Sequence, residues 1–235
     1  MGSDDGNLDG MLITEALHLL LLKDDGAIET LPLYREYFAK AALLVDLVVE
    51  GTITVISGEP AQIILDPTSS ILRNPILEHG RSMLRVGDTV EGVLQRPEFD
   101  PLKVVEESLI AAGVLERRSH GLLFRVERTP IIDAGPKRML ISRLRDVLTA
   151  RREALPTDIA LLVLLNGAAD APRILRSEAD GLSREQFAER MRKLASGLPI
   201  AHAATAASAS AAVNAAVTAA VLTAVLVPTV VGAII

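Results

Sequence analysis

A chain of 235 residues with 49% hydrophobic content can bury a sizeable core, yet aromatics make up only 3% and Trp is absent. Such a core is built from Leu, Val, Ile and Ala, which favours helix packing and excludes a nucleic-acid reader based on aromatic stacking. A net charge of −6 argues against a strongly basic phosphate binder, and the absence of cysteine removes disulfides, thiol nucleophiles and Cys-based zinc sites.

The first ten residues, MGSDDGNLDG, are acidic and Gly-rich. They lack the positive start of a signal peptide and the Ser or Thr of a myristoylation signal, so 1–10 is expected to be a disordered leader. A helical domain over 11–235 should follow. A Leu-rich helix begins near Leu12 and ends at the Lys23-Asp24-Asp25-Gly26 turn. A longer helix comes next, with Phe38, Ala41, Ala42, Val45, Leu47, Val48 and Val49 on its apolar face and Arg35, Glu36 and Lys40 elsewhere. Gly51 suits a left-handed helix stop. Residues 52–56 and 62–65 alternate as two short strands around a Ser57-Gly58-Glu59-Pro60 turn.

Asn74-Pro75 is a helix start, with Asn as cap and Pro in the first turn. Ile76, Leu77, Met83 and Leu84 give that helix its buried side. A short segment over 90–95 reaches the break at Pro97. Asp100 caps the next helix, whose face is Val104, Val105, Leu109 and Ile110, and Gly113 ends it. Residues 114–118 and 121–127 flank Ser119-His120 as a second hairpin. Gly135-Pro136 opens a helix with Met139, Leu140, Leu144, Val147 and Leu148 at helical spacing, and Pro156-Thr157-Asp158 opens the most hydrophobic helix of the body. Ser183 and Gln186 form a capping box for a last charged helix.

From Gly197 to Ile235 there is no Asp, Glu, Lys or Arg. One reading is a buried C-terminal core helix with Val213, Val217, Val221, Leu222 and Val225 facing inward. The other is a tail anchor, although the strongest run, Ala215–Val227, is shorter than the ~20 residues of a spanning helix. The fold class expected is thus mainly α: one globular helical domain, two short β-hairpins and a buried apolar C-terminal helix.

Catalytic and metal patterns are missing. His18, His79, His120 and His202 sit in four separate elements without ligand spacing. Neighbouring carboxylates such as Glu98 and Asp100, Glu106 and Glu107, or Glu178 and Asp180 read as solvated faces or caps. There is no GxSxG, no phosphate-binding loop and no HExxH. The expectation is a non-enzymatic protein with no cofactor, no metal and no nucleic-acid partner.

The order of a Leu-rich helix, a Lys-Asp-x-x-Gly-like turn, a long helix closing on Glu50-Gly51 and a hairpin resembles the Golgi phosphoprotein 3 family. Asp100-Pro101-Leu102-Lys103, the apolar hairpin with Leu122-Leu123-Phe124, and the aliphatic run from Asp158 to Ala168 continue that resemblance. The match covers roughly residues 11 to 197. It implies a peripheral membrane protein that takes phosphatidylinositol 4-phosphate, an anionic lipid head group, in a shallow basic pocket. The family's long-helix arginine position holds Lys40 here, and its aromatic position falls near Leu31. Its two further arginine positions fall near Phe99 and Leu102, with Lys103 alongside. Lysine donates as a point charge and forms no planar bidentate pair with phosphate. The resemblance also favours the core-helix reading of the tail.

The expected head-group surface therefore comprises Lys40, Arg35, Lys103 and Arg81. Leu122, Leu123 and Phe124, ringed by Arg117, Arg118, Arg125 and Arg128, are expected to meet a membrane or a second copy through the 114–127 hairpin. The family's Arg-rich N-terminal tail has no counterpart in the acidic leader, so coat-adaptor function does not carry over. A composition heavy in Ala, Leu, Val and Arg suggests a bacterial-type relative, cytoplasmic or peripheral at the cytoplasmic face of a membrane. The rival expectation is a soluble protein–protein scaffold that keeps the fold and has lost the lipid site.

Overall fold

In the computed structural model, residues 10–56, 60–67, 72–120, 126–168, 171–175 and 183–196 are described. At its centre lies α1 (Ile13–Leu21), all nine residues of which are buried. A helix that is apolar on nearly every side can only be an internal one. α1 is wrapped by α2 (Pro32–Val49), α5 (Leu102–Ala111), α6 (Gly135–Leu148) and α7 (Pro156–Ala168). The early residues Ile13 and Thr14 meet Asp46, while the late residue His18 meets Arg35, so α1 and α2 run antiparallel. This follows from the tight Lys23–Gly26 turn, where the Gly26 amide donates to the Lys23 carbonyl at 2.9 Å.

Around this centre, α3 (Pro75–Met83) and α4 (Val90–Gln95) cover another side of α2. α8 (Ala171–Leu175) and α9 (Arg184–Ser196) pack on α6 and α7. Buried residues from Ile13 to Met191 form one hydrophobic cluster, including Leu17, Leu19, Leu20, Phe38 and Phe99 at 0% exposure. Each such side chain contributes about 1.5–3 kcal/mol of transfer free energy.

Helix ends follow the chemistry of their residues. Gly51 and Gly113 take φ of +73° and +71°, the left-handed conformation that ends α2 and α5. Asn74 Oδ1 accepts from the Ile76 amide at 2.9 Å, and Asp100 Oδ1 accepts from the Leu102 amide at 3.0 Å. Ser183 and Gln186 close a reciprocal box at 2.7 and 3.2 Å. β1 (Ile53–Ile56) pairs antiparallel with β2 (Gln62–Leu65), Ile53 opposite Leu65. β3 (Arg118–His120) pairs with β4 (Val126–Arg128), Arg118 opposite Arg128.

Several expectations need correcting. Ser119 and His120 belong to β3 rather than to a turn, because the register sets His120 opposite Val126. Val49 and Met139 are 52% and 41% exposed, although helical spacing put both on buried faces. Val49 is the last residue of α2, where the helix leaves the core. Lys40, grouped by spacing with the polar side of α2, is 3% exposed. α2 is covered by α1, α7, α3 and α4, so its polar stripe is narrower than the sequence spacing implies. The leader over 1–9, the Leu122, Leu123 and Phe124 tip and the uncharged tail over 197–235 lie outside the described residues. Among the described residues no helix is long and apolar enough to cross a membrane.

Candidate functional site

Three of the four expected head-group cations, Lys40, Arg81 and Arg35, are held in separate internal arrangements. Lys40 sits in mid-α2 with Nζ 2.6 Å from Glu36 Oε1, one turn earlier. The same ammonium donates to the Arg96 carbonyl at 2.9 Å, tying α2 to the end of α4. Arg96 in turn forks onto Asp88, with Nη2–Oδ1 at 2.5 Å and Nη1–Oδ2 at 3.1 Å, and also donates to the Met83 carbonyl. Burial opposes ionisation of Asp88, but hydrogen bonds from Arg96 and the Arg85 amide hold its carboxyl below the usual range. Arg81 reaches the Asp66 carbonyl at 3.3 Å, and its buried Nε has no partner among the described residues. Lys103 is exposed in the first turn of α5.

Arg35 is taken up by α5, its Nη2 lying 2.6 Å from Glu106 Oε1. That nitrogen is also 3.4 Å from both ring nitrogens of His18. Two lone-pair directions of one imidazole diverge, so equal distances mean a contact with the ring rather than a directed hydrogen bond. Burial, then the Arg35 charge, push the His18 pKa down to about 3. His18 is therefore neutral near pH 7, and its 3.9 Å approach to Glu106 is no ion pair. Lys103 lies three residues before Glu106, on the same side of α5. Arg35 thus meets α5 at Glu106, three residues after Lys103, but among the described residues no acceptor is shared by all four cations.

Next to these groups the start of α2 is strongly apolar and open. Leu31, Leu33 and Tyr34 are 65%, 75% and 40% exposed. Pro32 fixes the first turn of the helix, and the three side chains project around its N-terminal end. Sequence reading placed only Leu31 here, through the family's aromatic position.

At the other end of α2, Asp46 is the main group that sequence reading missed. Its Oδ1 accepts from the Ile13 amide at 2.8 Å. Its Oδ2 accepts from the Thr14 amide at 2.9 Å and lies 2.5 Å from Thr14 Oγ1. Leu12, at the α1 N-cap, has no side-chain acceptor, so Asp46 caps α1 from a neighbouring helix. Burial pushes its pKa up to about 7 against these hydrogen bonds. A protonated Oδ2 could donate to Thr14 Oγ1 and leave both amides satisfied, so the neutral acid also fits the geometry. The signal was an acid inside the aliphatic run ALLVDLVV. A second buried acid, Asp158, accepts from Arg143 Nε at 2.6 Å and from the Leu155 amide at 3.0 Å.

Among the described residues no group of His, Asp and Glu could hold a metal ion. The molecule so defined is a mainly helical protein with a buried central hairpin of helices and an exposed apolar corner. The family model for Golgi phosphoprotein 3 (GPP34) matches residues 13–222, and the chain belongs to that family. No curated protein matches it.

Proposed function

We propose that this is a non-enzymatic peripheral membrane protein that meets the lipid surface with the N-terminal corner of α2. The observation that carries this reading is the exposure of Leu31, Leu33 and Tyr34 in one helical turn. Contiguous exposed aliphatic and aromatic side chains mark membrane or protein contacts. Lys103, exposed in the first turn of α5, is the cation left to favour anionic head groups, phosphatidylinositol 4-phosphate among them. Membership of the Golgi phosphoprotein 3 family supports the same reading. Insertion of the apolar corner supplies most of the affinity, and head-group charge adds a smaller part. The hairpin between β3 and β4 is a second contact, to the membrane or to another copy.

The test is flotation with vesicles of neutral lipid, of phosphatidylserine and of phosphatidylinositol 4-phosphate. Leu31→Asp with Leu33→Asp should abolish binding to all anionic vesicles. Lys103→Glu should weaken it several-fold, since each cation near an anionic surface is worth about 1 kcal/mol. Unchanged flotation of the double variant would remove the reading. A second reading, a soluble protein–protein scaffold, is favoured by the internal pairing of Arg35, Lys40 and Arg96, which leaves few of these cations free to meet phosphate. It predicts no flotation of the parent protein on any vesicle.

A further inference from the structure

A cavity of about 700 Å³ opens at the end of α2 opposite the apolar corner. Arg35 and Val49 are 14 residues apart on α2, which sets the two ends roughly 21 Å from each other. The volume falls within the range of about 300–1,000 Å³ typical of small-molecule sites. Its walls are the first turns of α1, α3 and α7, the last turn of α2 and the middle of α6. Leu12, Leu72, Leu77, Leu140, Leu144 and Leu161 give it an apolar interior. Leu155 and Val49, 44% and 52% exposed, stand at its mouth.

Hydrogen-bond accounting identifies what the polar part of the cavity still needs. Every oxygen of the two buried acids lining it already meets a protein donor: Asp46 at the start of α1, Asp158 at Arg143 Nε and the Leu155 amide. Asn74 Oδ1 is occupied by the Ile76 and Leu77 amides. What remains are donors. Arg143 uses only Nε, so Nη1 and Nη2 have no acceptor among the described residues, although its side chain is only 15% exposed. Arg73 has no partner among the described residues, and the Asn74 side-chain nitrogen has none either. The one exposed acid at the rim, Glu50, lies at the end of α2 in contact with water.

We infer that this cavity binds a single-chain amphiphile with one negative charge, of the fatty-acid type, its carboxylate on Arg143 and Arg73 and its chain among the leucines. A surplus of donors at one side of an apolar cavity calls for a ligand that brings acceptors and an aliphatic tail. Asp158 and Glu50 close by disfavour a doubly charged head. This inference does not depend on the membrane-facing corner, which lies at the far end of α2.

Calorimetric titration with dodecanoate below its micelle concentration tests it. One saturable site per chain is expected, with no binding of acetate and at least tenfold weaker binding of dodecyltrimethylammonium, which has the same chain and the opposite charge. Arg73→Gln, an exposed change that leaves packing intact, should weaken dodecanoate at least threefold. Arg143→Met should weaken it tenfold or more. Thr157→Trp, which fills the cavity from the first turn of α7, should abolish binding while far-ultraviolet circular dichroism stays that of the parent. If that variant does not fold, Leu155→Trp at the mouth serves instead. Absence of saturable dodecanoate binding overturns the inference. So does equal affinity for the cationic amphiphile, or dodecanoate binding that persists in a folded cavity-filled variant.

Discussion

Replacing Asp46 with Ala removes the cap of the central helix, and the size of the effect should depend on pH in a specific direction. Three hydrogen bonds are lost: those to the Ile13 amide, the Thr14 amide and the Thr14 hydroxyl. At about 1 kcal/mol for each lost hydrogen bond, the change costs about 3 kcal/mol. For a chain of this size that is a fall in melting temperature of roughly 6–12 °C. The Asp46 pKa rises from 3.8 to about 7 on folding, so between those values the folded state holds a proton that the unfolded chain has released. By linkage, the stability Asp46 supplies is fully present below pH 4 and declines as pH rises towards 7. His18 does the reverse. Its pKa falls from 6.5 to about 3, so stability is lost as pH drops below 6.5. In the parent protein the two slopes oppose each other between about pH 4 and 6.5. Asp46→Ala uncovers the His18 slope, and its stability should rise with pH across that window by up to about 1.4 kcal/mol per unit. Urea unfolding of both proteins at half-unit steps from pH 4.5 to 8 reads the difference. A larger penalty at pH 8 than at pH 5 would refute the reasoning, because it would mean that Asp46 works as an ionised cap.

Three further outcomes follow from contacts on other helices. Gly167→Ala places a Cβ 2.5 Å from Phe38 Cζ, a ring with 0% exposure, and overpacking of this kind costs about 1–3 kcal/mol, to be read as a lower melting temperature. Arg96→Ala removes the fork onto Asp88 and the bond to the Met83 carbonyl, and should lower stability by about 2–3 kcal/mol with a reduced dependence on salt, measured by urea unfolding in low and high sodium chloride. Lys40→Met should leave vesicle flotation within twofold of the parent, since its ammonium is engaged by Glu36 and the Arg96 carbonyl. A tenfold loss in a variant that remains folded would return Lys40 to the lipid surface.

Much of the fold was legible because its punctuation is local. Gly51, Gly113, Asn74-Pro75, Asp100 and the Ser183–Gln186 pair each act within one helical turn, and each does in three dimensions what its neighbours in sequence imply. The hairpin of β3 and β4 was misread by a few residues because register depends on pairing partners. Ser119-His120 carries no strong turn chemistry, and both residues pair across the ladder with Glu127 and Val126. Exposure at Val49 and Met139 was equally invisible to periodicity. Helical spacing shows which residues share a face, but not where that face runs out of neighbours.

The charged positions show the same limit more sharply. A lysine at one helical turn from a glutamate reads as a solvated pair, and in an isolated helix it would be one. Here Lys40 and Glu36 point toward the end of α4, so the ion pair becomes part of the contact between α2 and α4, and Arg96 contributes a carbonyl rather than its charge. Arg35 is likewise turned towards α5 by Glu106, 71 residues away in sequence. Lys40 and Arg35 thus put their charges into the packing of helices. The most exposed large side chains left at the start of α2 are Leu31, Leu33 and Tyr34. The proposed contact with a lipid surface therefore makes the leucines of this corner, rather than its buried lysine, the decisive substitutions.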